Sequence, residues 1–166
     1  TRGPYQQLGT DQGLTLRWST NAATDSLVRY GALPTDLSQS LLVPGARTDH
    51  EVALSGLTPA TTYYYSVGSS SAVLAGGDAE HFFLTAPAVG AAQATRIWVL
   101  GDSGTANADA YAVRDAYYAF TGAATTHLLL MLGDNAYETG LDVEYQKAVF
   151  ETYPETLRQT VLWPTR

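Results

Sequence analysis

The chain has 166 residues, of which 45% are apolar and 15% charged, a balance typical of a packed globular protein rather than a disordered one. Its net charge of -7 argues against a nucleic-acid backbone or an anionic membrane as its partner. The sequence has no cysteine, which excludes disulfides, thiolate ligands and thiol nucleophiles, and no stretch approaches the roughly 20 apolar residues of a membrane span.

Short strands are predicted throughout the first half of the chain. In residues 14–20, apolar side chains alternate with polar ones, the pattern of a strand with one buried face. Further strands are predicted at 25–31, 50–57, 61–69 and 81–87, with turn residues between them. Strands at this spacing indicate an antiparallel β-sandwich.

The stretch LTPATTY at residues 57–63 predicts a finer feature of that sandwich. A leucine, a proline-containing turn and a tyrosine at the start of the next strand are typical of a tyrosine corner, in which the Tyr63 hydroxyl bonds to upstream backbone. The first half therefore resembles a fibronectin type III module. Such sandwiches mostly position other domains, so this feature alone says little about function.

A segment of small, uncharged residues, PAVGAAQAT at 87–95, separates two parts of the chain with different patterns. Segments of this composition are typical of linkers. We therefore predict a first domain at residues 1–88, a linker at 89–95 and a second domain at 96–166.

The second part begins with a predicted strand, helix and strand. Residues 96–101 and 127–133 are continuous apolar runs, the pattern of strands covered on both faces. Residues 106–120 have helical spacing, and 143–153 predict a second helix that Pro154 ends. This order indicates a right-handed parallel βαβ unit. The predicted buried face of the first helix comprises Ala110, Val113, Ala116, Tyr117 and Phe120.

Both predicted buried strands end in Gly-Asp. Because ligands of open parallel sheets bind beyond the carboxyl ends of the strands, Asp102 and Asp134 should share one crevice if the strands are neighbours. Two close carboxylates repel each other, and a hard cation removes that repulsion. Tyr137 is near enough for its phenol to reach the same point, where a Lewis-acidic metal would ionise it.

These blocks carry a specific family resemblance. Asp102-Ser103-Gly104 within GDSG, and GDNAY at 133–137, resemble the first two signature blocks of purple acid phosphatases, a branch of the metallophosphoesterases. The first half of the chain resembles the non-catalytic domain that these enzymes carry. The implied fold is multi-domain: an antiparallel fibronectin III/Ig-like β-sandwich, followed by the first βαβ(α) part of a metallophosphoesterase α/β domain.

The resemblance also implies a chemistry. It implies hydrolysis of phosphate monoesters by a dinuclear centre of Fe(III) and a divalent ion (Fe, Zn or Mn), in a secreted or periplasmic protein. Asp102 and Tyr137 would bind the ferric ion, and Asp134 would bridge the two metals. The residues expected around these ligands or near the substrate are Ser103, Gly104 and Asn135.

The family's later ligands, an Asn-His block, a mid-domain His and a terminal His-x-His, do not occur in the sequence. We expect His50, His81 and His127 to be structural or surface residues, and 161–166 to match the strand before the Asn-His block. Residues 96–166 are therefore expected to be a truncated catalytic domain that is inactive alone. Apolar surface should lie bare where the remainder of that domain, its expected partner, would pack.

Two other functions remain open at this point. GDSL esterases also present a serine after a strand, which would make Ser103 a nucleophile, although the Asp-x-x-His that would supply a base does not follow. The chain could instead be a non-catalytic binding or adhesion module whose working part is the sandwich. Asp102 and Asp134 could also be simple turn formers.

Overall fold

The computed structural model describes residues 1–165, and its strands form one continuous hydrogen-bonded sheet. The strands are β1 (Arg2–Gln7), β2 (Leu14–Gly31), β3 (Gln39–Leu54), β4 (Thr62–Gly68), β5 (Val73–Gly76), β6 (Phe82–Leu84), β7 (Ile97–Leu100), β8 (Leu128–Met131) and β9 (Val161–Pro164). The helices are α1 (Ala108–Thr121), α2 (Asp142–Tyr145), which continues as a π-helical segment (Gln146–Glu151), and α3 (Pro154–Gln159). In this part of the chain, no helix has the length and apolar character needed to cross a membrane.

The first six strands form the predicted sandwich. The first part of β2 pairs with β1 and the end of β3, and its second part pairs with the start of β3 and with β4, all antiparallel. Long strands β2 and β3 therefore contribute to both layers. The buried core between the layers consists of Leu14, Leu16, Trp18, Val28, Val52, Leu54, Leu57, Tyr65, Val67 and Phe83.

Two strand predictions in this half are wrong in extent. β2 runs through both predicted strands, because the residues between them stay extended and Thr24 still pairs with Arg47 across a register shift. β3 begins at Gln39 rather than at residue 50, and its exposed first part has no apolar alternation to reveal it. The predicted tyrosine corner is confirmed, since the Tyr63 hydroxyl accepts a hydrogen bond from the Thr58 amide at 3.1 Å.

The second half contains the predicted βαβ unit. β7 and β8 are parallel neighbours, with Ile97 opposite Leu128 and Leu100 opposite Met131, and α1 connects them. β9 adds a third parallel strand beside β8. The core beneath this sheet consists of Trp98, Leu100, Leu129, Met131, Val149, Tyr153, Leu157 and Leu162.

The helices agree with the prediction in position but differ in detail. Pro154 does not end the helical region, because it is the first residue of α3, a position where proline's missing N–H costs nothing. The buried face of α1 is also different from the prediction, since Phe120 is 83% exposed and Val113 is 54% exposed. Ala110 and Tyr117 do face inward as predicted, and Tyr117 stacks on Trp98 with ring centroids 3.8 Å apart.

Helices cover one face of the parallel sheet, and the other face is bare in the described residues. Trp98 and Leu100 point into the helical layer and are buried. Ile97 and Val99, which alternate with them, are 48% and 53% exposed, and Trp163 on β9 is 44% exposed. The prediction that these strands are covered on both faces is therefore wrong for this chain, and the expected bare apolar surface is present.

Strand β1 joins the two halves. It pairs with β2 on one side and, at Gln6 opposite Val161, with β9 on the other. The fully buried Gln6 side chain donates to the carbonyls of Phe82 and Arg158, both at 2.7 Å, and the Tyr65 hydroxyl donates to the same Arg158 carbonyl at 2.9 Å. The domain boundaries at 88 and 95 stay predictions.

Candidate metal centre

The two Gly-Asp blocks lie side by side at the carboxyl end of the parallel sheet. Leu100 and Met131, the last residues of β7 and β8, are paired, so the loops that follow leave from the same edge. The Asp102 amide donates to the Gly133 carbonyl at 3.2 Å, which holds the start of one loop to the start of the other. This is the position at which open parallel sheets bind ligands.

Three of the predicted site residues meet at one point. The Tyr137 hydroxyl lies within hydrogen-bond distance of both carboxylates, 2.6 Å from Asp134 Oδ2 and close to Asp102 Oδ1, so the two carboxylates compete for its one proton. Adjacent oxygen ligands of an octahedral ion with bonds of about 2.0–2.1 Å lie roughly 3 Å apart. Small outward movements of these side chains would therefore let their oxygens share one cation.

Both aspartates adopt the same unusual backbone conformation. Asp102 has φ 56° and Asp134 has φ 53°, values in the left-handed region that few non-glycine residues adopt. Aspartate tolerates this region better than most residues, yet the conformation still costs energy. The matching conformations give the two aspartates equivalent places at neighbouring strand ends.

Gly104 allows the two loops to touch through their backbones. A Cβ atom at this position would lie 2.5 Å from the Ala136 nitrogen and 2.6 Å from the Asp134 carbonyl oxygen, closer than real Cβ contacts. The Gly104 carbonyl also accepts a hydrogen bond from the Tyr137 amide at 3.0 Å. The loop after β7 thus supports the loop after β8 directly beside Asp134 and Tyr137.

The electrostatics of the cluster favour a cation. Hydrogen bonding to Asp102 and then to Asp134 raises the pKa of the Tyr137 phenol above its usual value, because the phenolate would have no proton to share with the carboxylates and would repel both. A bound cation of high charge would reverse that preference and favour the phenolate. Two carboxylates and a phenol are the hard oxygen donors that ferric and similar ions prefer.

The donor set is incomplete for two metals. Within residues 1–165 there is no group of three or more histidine, cysteine, aspartate or glutamate side chains that could hold an ion. Asp102, Asp134 and Tyr137 fit part of the shell of one hard ion, because the third donor is a phenol. A second ion would need further ligands beyond those that the described residues bring to this edge.

The remaining predicted site residues lie beside the cluster. Asn135 is buried, and its side-chain nitrogen donates to the Thr165 carbonyl at 2.8 Å. The Ser103 Oγ atom is buried as well, and no histidine is hydrogen-bonded to it in the part of the chain described. The esterase alternative therefore lacks its general base here.

The histidines lie elsewhere. His50 is buried in the sandwich, His81 pairs with Asp78 at 2.8 Å, and His127 precedes β8 at its amino end and accepts from the Arg96 amide at 3.0 Å. These positions agree with the structural or surface roles expected of them. The sequence analysis missed the Thr165 carbonyl as an anchor, because a backbone acceptor leaves no signature in the side-chain pattern.

The sandwich has a family match. The model of the purple acid phosphatase N-terminal domain matches residues 3–85, half of the chain. The chain belongs to this family. A comparison with curated proteins found no match to this sequence.

Solved structures resemble this chain to different degrees. The structure of PhoD is similar over 98% of this chain, with a TM-score of 0.63 and 13% identity, and the chain spans only 38% of that PhoD chain. The FN1–FN3 domains of chicken CNTN1 match 51% of this chain and 29% of their own, with a TM-score of 0.40 and 15% identity. The fn3 domain of human contactin 1 matches 55% of this chain and 80% of its own, with a TM-score of 0.38 and 18% identity. The PhoD match supports a two-part fold of sandwich and α/β sheet, and the last two scores are too low to support an argument.

Proposed function

We propose that this chain is part of a metal-dependent phosphomonoesterase of the purple acid phosphatase type, to which it contributes three ligands of a dinuclear metal centre. The observation that carries this proposal is the meeting of the Asp102, Asp134 and Tyr137 oxygens at the carboxyl edge of β7 and β8. The family match of the sandwich supports it independently, because that domain belongs to this class of enzyme.

Each residue has a distinct task in this proposal. Asp102 and Tyr137 would hold a ferric ion, and Asp134 would be shared between it and a divalent Fe, Zn or Mn ion. When bound, the two ions supply Lewis-acid activation of water and neutralise charge on a phosphate monoester. Gly104 lets the two ligand loops pack against each other, and the left-handed backbone of the aspartates fixes the direction of their carboxylates.

The remaining ligands come from further chain in this proposal. The bare sheet face around Val99 and Trp163 gives a second layer of the domain a place to pack. The chain's coverage of only 38% of the PhoD chain is compatible with a larger domain. The 166-residue chain alone therefore has negligible phosphatase activity, and its net charge disfavours nucleic acid as a substrate. A secreted or periplasmic location is part of the same proposal and rests on the family resemblance.

A spectroscopic experiment tests the proposal on the intact protein. Metal analysis should find iron, and a visible absorption band should arise from charge transfer between the Tyr137 phenolate and that iron. Tyr137→Phe should remove the band and reduce hydrolysis of p-nitrophenyl phosphate, whereas Tyr111→Phe, a matched change on exposed α1 surface, should leave both unchanged. Retention of the band in Tyr137→Phe, or rapid metal-dependent turnover by the 166-residue chain alone, would contradict the proposal.

A further inference from the structure

Asn135 is a buried amide placed between two proposed metal ligands. It follows Asp134 directly, precedes Tyr137 by two positions, and is only 3% exposed. Its Oδ1 atom is buried and has no hydrogen-bond partner in residues 1–165. A buried polar atom without a partner destabilises a fold. An amide at this position should therefore make some other contact that an apolar side chain could not make.

The other end of the Asn135 amide makes that contact. Its nitrogen donates to the Thr165 carbonyl at 2.8 Å, a bond between residues distant in sequence. Thr165 is fixed in turn, because its amide and hydroxyl both donate to the Met131 carbonyl at the end of β8, at 2.7 and 3.1 Å. Asn135 thus connects the loop after β8 to the residue that follows β9.

This connection helps to support the loop after β8, which carries Asp134 and Tyr137. The backbone of Tyr137 is held by Gly104, on the side of β7. Asn135 holds the same loop on the side of β9, which is itself paired with β8 and with β1. The strained left-handed residue Asp134 directly precedes Asn135, and a strained conformation persists only where its surroundings hold it.

We infer that Asn135 is a positioning residue whose amide fastens the loop carrying Asp134 and Tyr137 to the end of β9. The inference rests on the proposed metal site and adds to it a condition: the two ligands reach their places only when β9 is docked beside β8. Because β9 also pairs with β1, the sandwich half contributes to the geometry of the site through the sheet.

A titration of the 166-residue chain with Tb(III) alone tests this inference without enzyme activity. Tb(III) is a hard trivalent cation that prefers oxygen ligands, and tyrosine-sensitised luminescence reports its binding near Tyr137. Asn135→Ala should weaken Tb(III) binding at least ten-fold while the protein remains folded at the temperature of the titration. Two controls should bind like the wild type: Asn21→Ala, a matched change on an exposed strand residue, and Thr139→Ala, which removes a hydroxyl bond to Glu144 in the same region.

Hydrogen exchange supplies a second readout that needs no metal. In Asn135→Ala, the Tyr137 amide should exchange at least ten-fold faster, since the loop has lost its attachment to the end of β9. The Thr58 amide, which bonds to Tyr63 in the sandwich, should exchange at its wild-type rate. An unchanged Tyr137 rate would overturn the positioning role even if the chain bound no Tb(III).

The outcomes separate the two proposals. Asp134→Asn should abolish Tb(III) binding, and wild-type affinity in that variant would refute the proposed metal site itself. Loss of binding in Asp134→Asn with full binding in Asn135→Ala would leave the site standing and overturn only the role of Asn135.

Discussion

The two halves of this molecule differ in how completely they enclose their strands. In the sandwich, alternating residues such as Leu16 find a facing layer within the same half, and the predicted buried face is buried. In the parallel sheet, Leu129 is fully buried beneath helices, whereas Val99 on the other face is 53% exposed. A continuous apolar run indicates a strand that is stable when both of its faces are covered. In the described residues, only one face of these strands is covered.

The halves also differ in what their loops hold. The loops of the sandwich are fixed by local hydrogen bonds such as that between Thr58 and Tyr63. The loops after β7 and β8 are fixed to each other, with Gly104 packed against Ala136, and they carry three oxygen ligands to one point. Four predictions test these differences between the two halves.

The largest effect on metal binding should come from Gly104→Ala. Its added methyl group would overlap the Ala136 nitrogen and the Asp134 carbonyl, so the two loops must separate and the ligand oxygens with them. Overpacking of this kind typically costs about 1–3 kcal/mol, and we expect loss of metal binding together with lower thermal stability. Gly3→Ala is the matched control, because its added atom would meet nothing within 4 Å. Wild-type metal affinity in Gly104→Ala would show that the loops do not need this contact.

Substitutions on the two faces of the parallel sheet should change the free energy of unfolding by very different amounts. Leu129→Ala removes a fully buried side chain and should lower the free energy of unfolding by about 2–5 kcal/mol in urea denaturation. Val99→Thr on the bare face should change it by only about 0.5 kcal/mol in this chain and should improve solubility. A large loss from Val99→Thr would indicate that this face is already covered in solution, for instance by another copy of the chain.

Uncoupling the halves should have an intermediate effect. Gln6→Ala removes two buried hydrogen bonds, to the carbonyls of Phe82 and Arg158, and leaves the Arg158 carbonyl with only the Tyr65 hydroxyl as a side-chain donor. We expect a loss of about 1–3 kcal/mol in the free energy of unfolding and, in calorimetry, broadening or splitting of a single transition. Gln39→Ala, on the exposed start of β3, is the control. An unchanged sharp transition in Gln6→Ala would show that the junction between the two halves does not depend on this side chain.

The smallest effect should be a pH dependence that belongs to the sandwich alone. The buried His50 ring stacks on Trp18, and its nitrogens lie 2.8 Å from Ser26 Oγ and 2.9 Å from Thr20 Oγ1. Burial, followed by the charge of Arg47, lowers the pKa of His50 below its usual 6.5, against weaker opposing effects of Asp49 and Asp25.

The sign of this dependence follows from proton binding. The unfolded chain binds the proton more tightly than the folded one, so the contribution to stability is complete above about pH 6.5 and is lost as the pH falls below it. Melting temperatures between pH 7.5 and 5 should therefore fall more steeply in the wild type than in His50→Gln. Equal slopes in wild type and His50→Gln would exclude His50 as the source.

The sequence predicts most reliably the features that depend on local pattern. The Tyr63 corner follows from a turn and a strand start, and the meeting of Asp102 and Asp134 follows from two strands that end alike. The buried face of α1 was predicted only in part, because Tyr117 and Phe120 both suit an apolar face and tertiary packing buries the first and exposes the second. The contact of Asn135 with Thr165 was equally inaccessible, since it joins a side chain to a distant backbone carbonyl.

The most direct test of the account is a crystal structure of the metal-loaded intact protein, with anomalous diffraction measured at the iron edge. The account predicts an iron peak within about 2.0–2.2 Å of oxygens from Asp102, Asp134 and Tyr137 together. An iron peak elsewhere, or these three side chains turned toward separate neighbours with no ion between them, would contradict the account.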